Sequence, residues 1–281
     1  MARERPFRQV DVFSAEACKG NALAVVVDAE GLTDAEMQRF AAWTNLAETT
    51  FLLPPTDPSA ADYKVRIFTT NSELPFAGHP TLGSCFAWLD TGGMPRVAGR
   101  VVQECGVGLV EIQAGHDGRL AFAAPPLTLR TVDEAVVSQF VASLGLQRED
   151  VLAASWLVNG PAWLGFLLRD AELVLGLKPN YSELREYDFG FAGAWPSGSH
   201  ECAFEVRAFP YREGPIEDPV TGSFQAGLGG WLTAIGAAPD EYVAAQGTAL
   251  GRAGRVYIAK RGERLWVGGD CTTLISGTVS L

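Results

Sequence analysis

Histidine is scarce in this 281-residue chain. There are three, His79, His116 and His200, too scattered to give the spacing of a zinc site. The five cysteines, Cys18, Cys85, Cys105, Cys202 and Cys271, are odd in number and contain no C-x-x-C pair. That argues against a disulfide framework and for reduced thiols. No apolar run approaches the roughly 18 residues of a membrane span. The start, MARERPFRQVDVF, is charged and has no apolar h-region, so a cytoplasmic protein without a secretory signal is expected. Basic residues are the minority, 22 against 33 acidic, for a net charge of −11. A surface of that sign repels phosphate backbones and anionic lipid, which removes nucleic acid and membrane from the expected partners. GLGGW near Gly227 is not G-x-G-x-x-G and follows no strand. There is no P-loop and no G-x-S-x-G elbow. No metal and no cofactor is expected.

What is present is an ordinary globular composition, 47% hydrophobic and 20% charged. A chain of this length can bury about three quarters of its unfolded surface, so it needs no staple. It also carries an internal repeat. His79-Pro-x-x-Gly83-Ser84-x-x-Ala-x-Leu recurs as Asp218-Pro-x-x-Gly222-Ser223-x-x-Ala-x-Leu, 139 positions later. VRIF (65–68) precedes the first copy and VRAF (206–209) the second, and GNALAVVVD from Gly20 resembles GPAWLGFLLRD from Gly160. Several features kept in order at nearly one offset argue for a duplicated domain. The halves are expected at 1–125 and 126–281, joined through the Pro-rich APPLTLRT (124–131), with the last strand free to return to the first half.

Short β-branched runs predict strands at FRQVDVF, NALAVVV, TTFLLPP, ADYKVRIFTT, RVVQEC, LVEIQAG and GRLAFAA in the first half. In the second they predict strands within 156–168 and at CAFEVRAF, RVYIAKR, RLWVGGD and TLISGTVSL. LTDAEMQRFAAWTNLA predicts a helix, with Thr33 and Glu36 spaced as a capping box. Helices are also expected near 132–144 and 182–187. The two repeat copies predict helices starting at Pro80 and Pro219, where a missing N–H costs nothing. Both are apolar nearly all round and must be buried. The expected architecture is α/β (α+β): two pseudo-symmetric halves, each a barrel-like sheet wrapped on a central helix, with the His and Asp ends opening onto the space between them.

A titratable group recurring at one structural address singles out His79 and Asp218. A core histidine and a capping aspartate are the plainer readings of each. Helix starts draw anions, so the groups around them, Gly78, Gly83 and Ser84 in one half and Gly222 and Ser223 in the other, form a candidate set for a substrate carboxylate. Glu48, in TNLAETTF, is a carboxylate inside an uncharged run. It reads either as an exposed loop acid or, desolvated in a cleft, as a proton shuttle with a pKa raised towards neutrality.

GNALAVV, NLAETTF, FTTNSELPFAGHPTLGS and RAFPYREGPIEDPVTGS together resemble the PhzF-like family, named for the phenazine-biosynthesis isomerase. The blocks run in the family's order over almost the whole chain. The resemblance implies the diaminopimelate epimerase fold, a homodimer and a cofactor-independent isomerase acting on a small carboxylated metabolite. Glu48 matches the acid/base, and His79, Asp218 and Ser223 match pocket residues. Ala22, Phe224 and Gln225 depart from the family pattern and are expected to reshape the pocket. A non-catalytic small-anion-binding protein with the same cleft is the alternative.

In the related epimerases, thiols stand where His79 and Asp218 stand here, so two-thiol chemistry is not expected. Cys85 should lie inside a buried helix, where a thiol is a poor proton acceptor. A variant with Cys85→Ala and the other four cysteines changed to Ser should therefore keep its rate within a few-fold. It should lose on the order of 1 kcal/mol of stability per buried site. The check is solvent-deuterium exchange into a carboxylated substrate beside circular dichroism; an intact fold with exchange abolished would make a thiol the catalyst.

Overall fold

A computed structural model describes residues 3–115, 117–179, 181–211 and 217–281. His116, expected in a turn, and Ile216 lie outside the described residues. The chain divides into two compact units, Met1–Ala123 with Gly268–Leu281, and Ala124–Val267.

Unit 1 contains β1 (Glu4–Val12), β2 (Asn21–Val26), α1 (Asp34–Thr44), β3 (Glu48–Leu53), β4 (Tyr63–Phe68) and β5 (Glu73–Leu74). There follow α2 (Gly78–Asp90), β6 (Arg100–Cys105), β7 (Gly108–Ala114) and β8 (Leu120–Ala123), and, from the far end of the chain, β17 (Cys271–Ser280). β1 pairs antiparallel with both β17 and β2. β2 and β3 are parallel, β3 and β4 antiparallel, β4 and β6 parallel, and β6 and β7 antiparallel. A parallel pair needs a crossover, and the two crossovers here are α1 and α2. They sit differently. α1 is amphipathic and closes an outer cluster of Val26, Met37, Phe40, Phe51 and Phe68. Its Thr33–Glu36 capping box forms as the sequence implies, and Asn45 ends it in the left-handed region at φ 55°. α2 has nine buried residues in thirteen and packs on β1, β2, β3, β6, β8 and β17.

Unit 2 contains β9 (Thr128–Arg130), α3 (Glu134–Leu144), β10 (Val151–Val158), β11 (Ala162–Leu168), α4 (Ala171–Gly176), α5 (Tyr181–Leu184), β12 (Asp188–Ala194) and β13 (Phe204–Pro210). α6 (Gly222–Ala234), β14 (Glu241–Gln246), β15 (Gly254–Arg261) and most of β16 (Arg264–Gly269) complete it. The succession of pairings is that of unit 1. β9–β10 and β10–β11 are antiparallel, β11–β12 parallel, β12–β13 antiparallel, β13–β14 parallel and β14–β15 antiparallel. α6 is the counterpart of α2, enclosed by β10, β11 and β15. A second cluster, Phe140, Phe166, Phe189, Phe191 and Phe209, fills the other face of the sheet, with ring centroids as close as 4.6 Å.

Five elements escape the sequence pattern: α4, β12, β14, the two-residue β5, and β9, which lies inside the segment expected to be a linker. β12 reads DFGFAGA, and glycine normally weakens a strand. Both glycines are required here by close approach. A Cβ on Gly190 would lie 2.4 Å from the Phe224 ring and one on Gly193 would lie 2.1 Å from the Asp170 carbonyl oxygen. No helix among the described residues is long and apolar enough to cross a membrane.

Glu205, in β13, is 1% exposed, and neither of its carboxyl oxygens closes a hydrogen bond. Burial pushes its pKa up to about 7, only partly offset by Thr248, Arg255, Trp195 and Arg207 nearby. In the unfolded chain its value is 4.5. A raised folded-state pKa gives stability that is whole below the unfolded value and lost as pH rises through the folded one. The urea midpoint should therefore fall between about pH 4.5 and 7, and Glu205→Gln should flatten that slope and be the more stable protein at pH 8. An identical slope in the variant would remove Glu205 as its source.

Candidate active site

In unit 1 the turn before β2 fixes the first polar group. The buried Asp11 carboxylate accepts the backbone N–H groups of Lys19 (2.8 Å) and Gly20 (2.9 Å). Asn21 then opens β2 opposite Val12. Glu48 is the first residue of β3, in register with Leu23 on the parallel neighbour β2. His79 is the second residue of α2, whose N-cap, Ala77, has no side chain able to cap it. Three separate segments thus meet at the imidazole. His79 Nε2 lies 3.4 Å from Glu48 Oε2, and His79 Nδ1 lies 3.3 Å from Asn21 Nδ2. The Nε2 contact is poised rather than closed: it is near enough for an ion pair but off the hydrogen-bond axis. The ring is 4% exposed, and burial pushes its pKa down to about 3, so it is neutral at physiological pH. A neutral imidazole has one N–H and one lone pair. Here it can donate to a carboxylate without acquiring charge.

α2 begins at Gly78, two residues before the Pro80 start expected from the sequence. Pro80 still falls in the first turn, where no N–H is needed, and Thr81 is the first residue to bond back, to the Ala77 carbonyl at 3.1 Å. The first-turn N–H groups of Gly78 and His79 are left for an anion. Two expected members of that set have other work. Ser84 sits nearly two turns into the helix, fully buried, and its hydroxyl donates to Thr50 Oγ1 at 2.9 Å. Gly83 is a packing glycine: a Cβ there would fall 2.6 Å from Leu23 Cδ2 and 2.8 Å from Val12 Cγ2.

In unit 2 the same motif folds differently. α6 begins at Gly222, not Pro219. Asp218 does not cap it. Its N–H bonds the Ala208 carbonyl at 3.0 Å as an isolated bridge, and its carboxylate accepts the Thr221 hydroxyl at 2.6 Å. The buried Gln246 amide holds this arrangement. It donates to the Asp218 carbonyl (3.1 Å) and Thr221 Oγ1 (2.9 Å), and accepts from the Thr221 N–H (3.2 Å) and Gln225 Nε2 (2.9 Å). Ser223 is half-buried in the first turn. Its hydroxyl oxygen accepts the Trp163 indole N–H at 3.1 Å, which turns its own proton elsewhere, and its carbonyl accepts Asn159 Nδ2 at 2.8 Å. The N–H groups of Gly222 and Ser223 have no side-chain cap.

Phe224 and Gln225, expected to reshape a pocket, are both fully buried. Phe224 lies against Trp163 and over Gly190, and Gln225 against Gln246. They shape the core of unit 2. Sequence reasoning missed Asn21, Asn159, Trp163 and Gln246. The one available signal was that Asn21 and Asn159 flank the paired glycines, Gly20 and Gly160. Among the described residues no cluster of three or more His, Cys, Asp or Glu could hold a metal.

Comparison with known proteins identifies the family and the fold. The sequence model of the phenazine biosynthesis-like protein family matches residues 10–277. Antisense-enhancing sequence 1 of Schizosaccharomyces pombe is 34% identical over 98% of both chains. Trans-2,3-dihydro-3-hydroxyanthranilate isomerase of Pseudomonas aeruginosa is 31% identical over 90% of this chain and 89% of its own. A solved structure described as a predicted epimerase from Pseudomonas aeruginosa superposes with a TM-score of 0.82 at 25% identity, covering 98% of this chain and 99% of its own, so the fold is epimerase-like. The chain belongs to the phenazine biosynthesis-like family, and it is an isomerase.

Proposed function

We propose that the protein moves a proton between two carbons of a small carboxylated metabolite, a cyclic amino acid being the favoured class, with Glu48 as the group that takes and returns it. The observation that carries this reading is the Glu48–His79 pair. A carboxylate stands 3.4 Å from a buried, neutral imidazole, at a helix start whose N–H groups carry no side-chain cap. The reaction this arrangement suits is abstraction of an acidic proton next to a group that delocalises the resulting charge. Glu48 accepts that proton, and His79 donates a hydrogen bond to whichever oxygen is negative at that moment. The open N–H groups of Gly78 and His79 suit the substrate carboxylate.

Unit 2 offers a second helix start of the same kind. For Gly222 and Ser223 we propose a substrate-holding role, and for Asp218 an orienting one. The choice of substrate class draws on the curated relative that isomerises trans-2,3-dihydro-3-hydroxyanthranilate.

Glu48→Gln keeps the size and most of the hydrogen bonding but cannot carry a proton. A positioned acid/base is worth about 10² to 10⁴ in rate. The variant should melt as the wild type does and lose at least ~10²-fold in solvent-deuterium exchange. The assay uses trans-2,3-dihydro-3-hydroxyanthranilate and a panel of cyclic amino acids. Near-normal exchange by a folded Glu48→Gln protein would take Glu48 out of the mechanism.

A further inference from the structure

The Asn21 amide nitrogen has hydrogens to give and no lone pair to receive one. It faces His79 Nδ1 at 3.3 Å, with both residues at least nine-tenths buried. Nδ1 is therefore the ring's acceptor. Burial keeps the ring neutral, so its single proton has one remaining place, Nε2, and Nε2 is the atom that faces Glu48. The other tautomer is penalised at both ends. An N–H on Nδ1 would meet the hydrogens of the Asn21 amide. A bare lone pair on Nε2 would meet the Glu48 carboxylate, which could stay there comfortably only by keeping a proton of its own.

We infer that Asn21 is a positioning residue that locks His79 in the Nε2–H tautomer, so that the imidazole is a donor only and Glu48 is left as the single proton acceptor of the pair. Asn21 is well placed for this. It begins β2 directly after a turn clamped by Asp11 and enters the β1–β2 ladder opposite Val12, so its backbone is held on both sides. Aspartate at this position would reverse the lock, because a carboxylate accepts and would draw the proton to Nδ1. Leucine, of similar size, would remove it. The tautomer itself is a property of the fold; its catalytic consequence rests on the acid/base reading of Glu48 and His79.

The experiment is nitrogen NMR of protein labelled with ¹⁵N in its histidine rings. Histidine is present at three positions, and His79→Gln identifies the His79 signals. The wild type should show a protonated Nε2 and an unprotonated Nδ1, unchanged between about pH 5.5 and 8, since a strongly depressed pKa leaves the ring neutral throughout. Asn21→Asp should move the proton to Nδ1, and Asn21→Leu should give a mixture. A wild-type ring protonated on Nδ1 overturns the inference without recourse to any variant, which covers the case in which a variant fails to fold. So does an unchanged pattern in both folded variants. In Asn21→Asp, deuterium exchange should also fall at least ~10-fold, since a positioned acid/base contributes about 10² or more. A reversed tautomer with undiminished exchange supports Asn21's hold on the ring and overturns the acid/base role of the Glu48–His79 pair.

Discussion

Each unit is organised by the enclosure of one helix that is apolar on nearly every side. A surface helix needs an apolar stripe, but α2 and α6 have no polar face to turn to water, so strands must surround them. Enclosure then dictates how every polar group on the helix is treated, because a buried polar group left unmatched costs about 1–3 kcal/mol. Thr81 is matched to Gln103, which also accepts the Tyr63 hydroxyl, and Ser84 is matched to Thr50. In unit 2, the Gln225 amide nitrogen is matched to Gln246, while its amide oxygen closes no hydrogen bond. His79 is matched to Asn21 by the same logic. A residue in a chemically suggestive position is thus first a polar group needing a partner.

The repeat shows where local sequence stops determining structure. Two copies of one motif, alike at Pro, Gly, Ser, Ala and Leu, start their helices at different places: one at the residue before the histidine, the other four residues after the aspartate. The difference comes from partners far away in sequence. Ala208 and Gln246 draw Asp218 to a strand edge and hold it there. The loop is further tied by Glu217, whose carboxylate takes a bidentate pair from the buried Arg207 at 2.9 and 2.7 Å. No local pattern contains that information. The enclosed helices, the capping box and most strands were legible because periodicity and end residues carry them. α4, β12 and β14 were not, since a short helix, a glycine-bearing strand and an alanine-rich one are selected by neighbours rather than by propensity.

The candidate site was legible in the same uneven way. Glu48 and His79 stood out as lone titratable groups in uncharged surroundings, and the fold brings them together. Ser84 and Gly83 looked like site residues because they share the motif, yet one satisfies a core threonine and the other makes room for Leu23 and Val12. Asn21 and Trp163 were invisible because neither titrates, and their effect is exerted on another side chain: one donates to a ring nitrogen, the other aims a hydroxyl. Electrostatically, unit 1 differs from a thiol site in kind. Cys85 lies nearly two turns into α2, and burial raises its pKa far out of the physiological range.

Finally, unit 1 is sewn from both ends of the chain. β17 pairs with β1 from Glu4↔Ser280 to Val12↔Cys271, partners that are 276 residues apart at the widest. Unit 2 is one uninterrupted segment. During synthesis, then, the half that is begun first is finished last. β1 leaves the ribosome early and must wait, with one edge open, while the whole of unit 2 is made and folds behind it. At ordinary elongation rates that wait is on the order of tens of seconds. An open strand edge invites pairing with other chains, so the order of synthesis leaves the nascent chain with an aggregation-prone edge until β17 arrives.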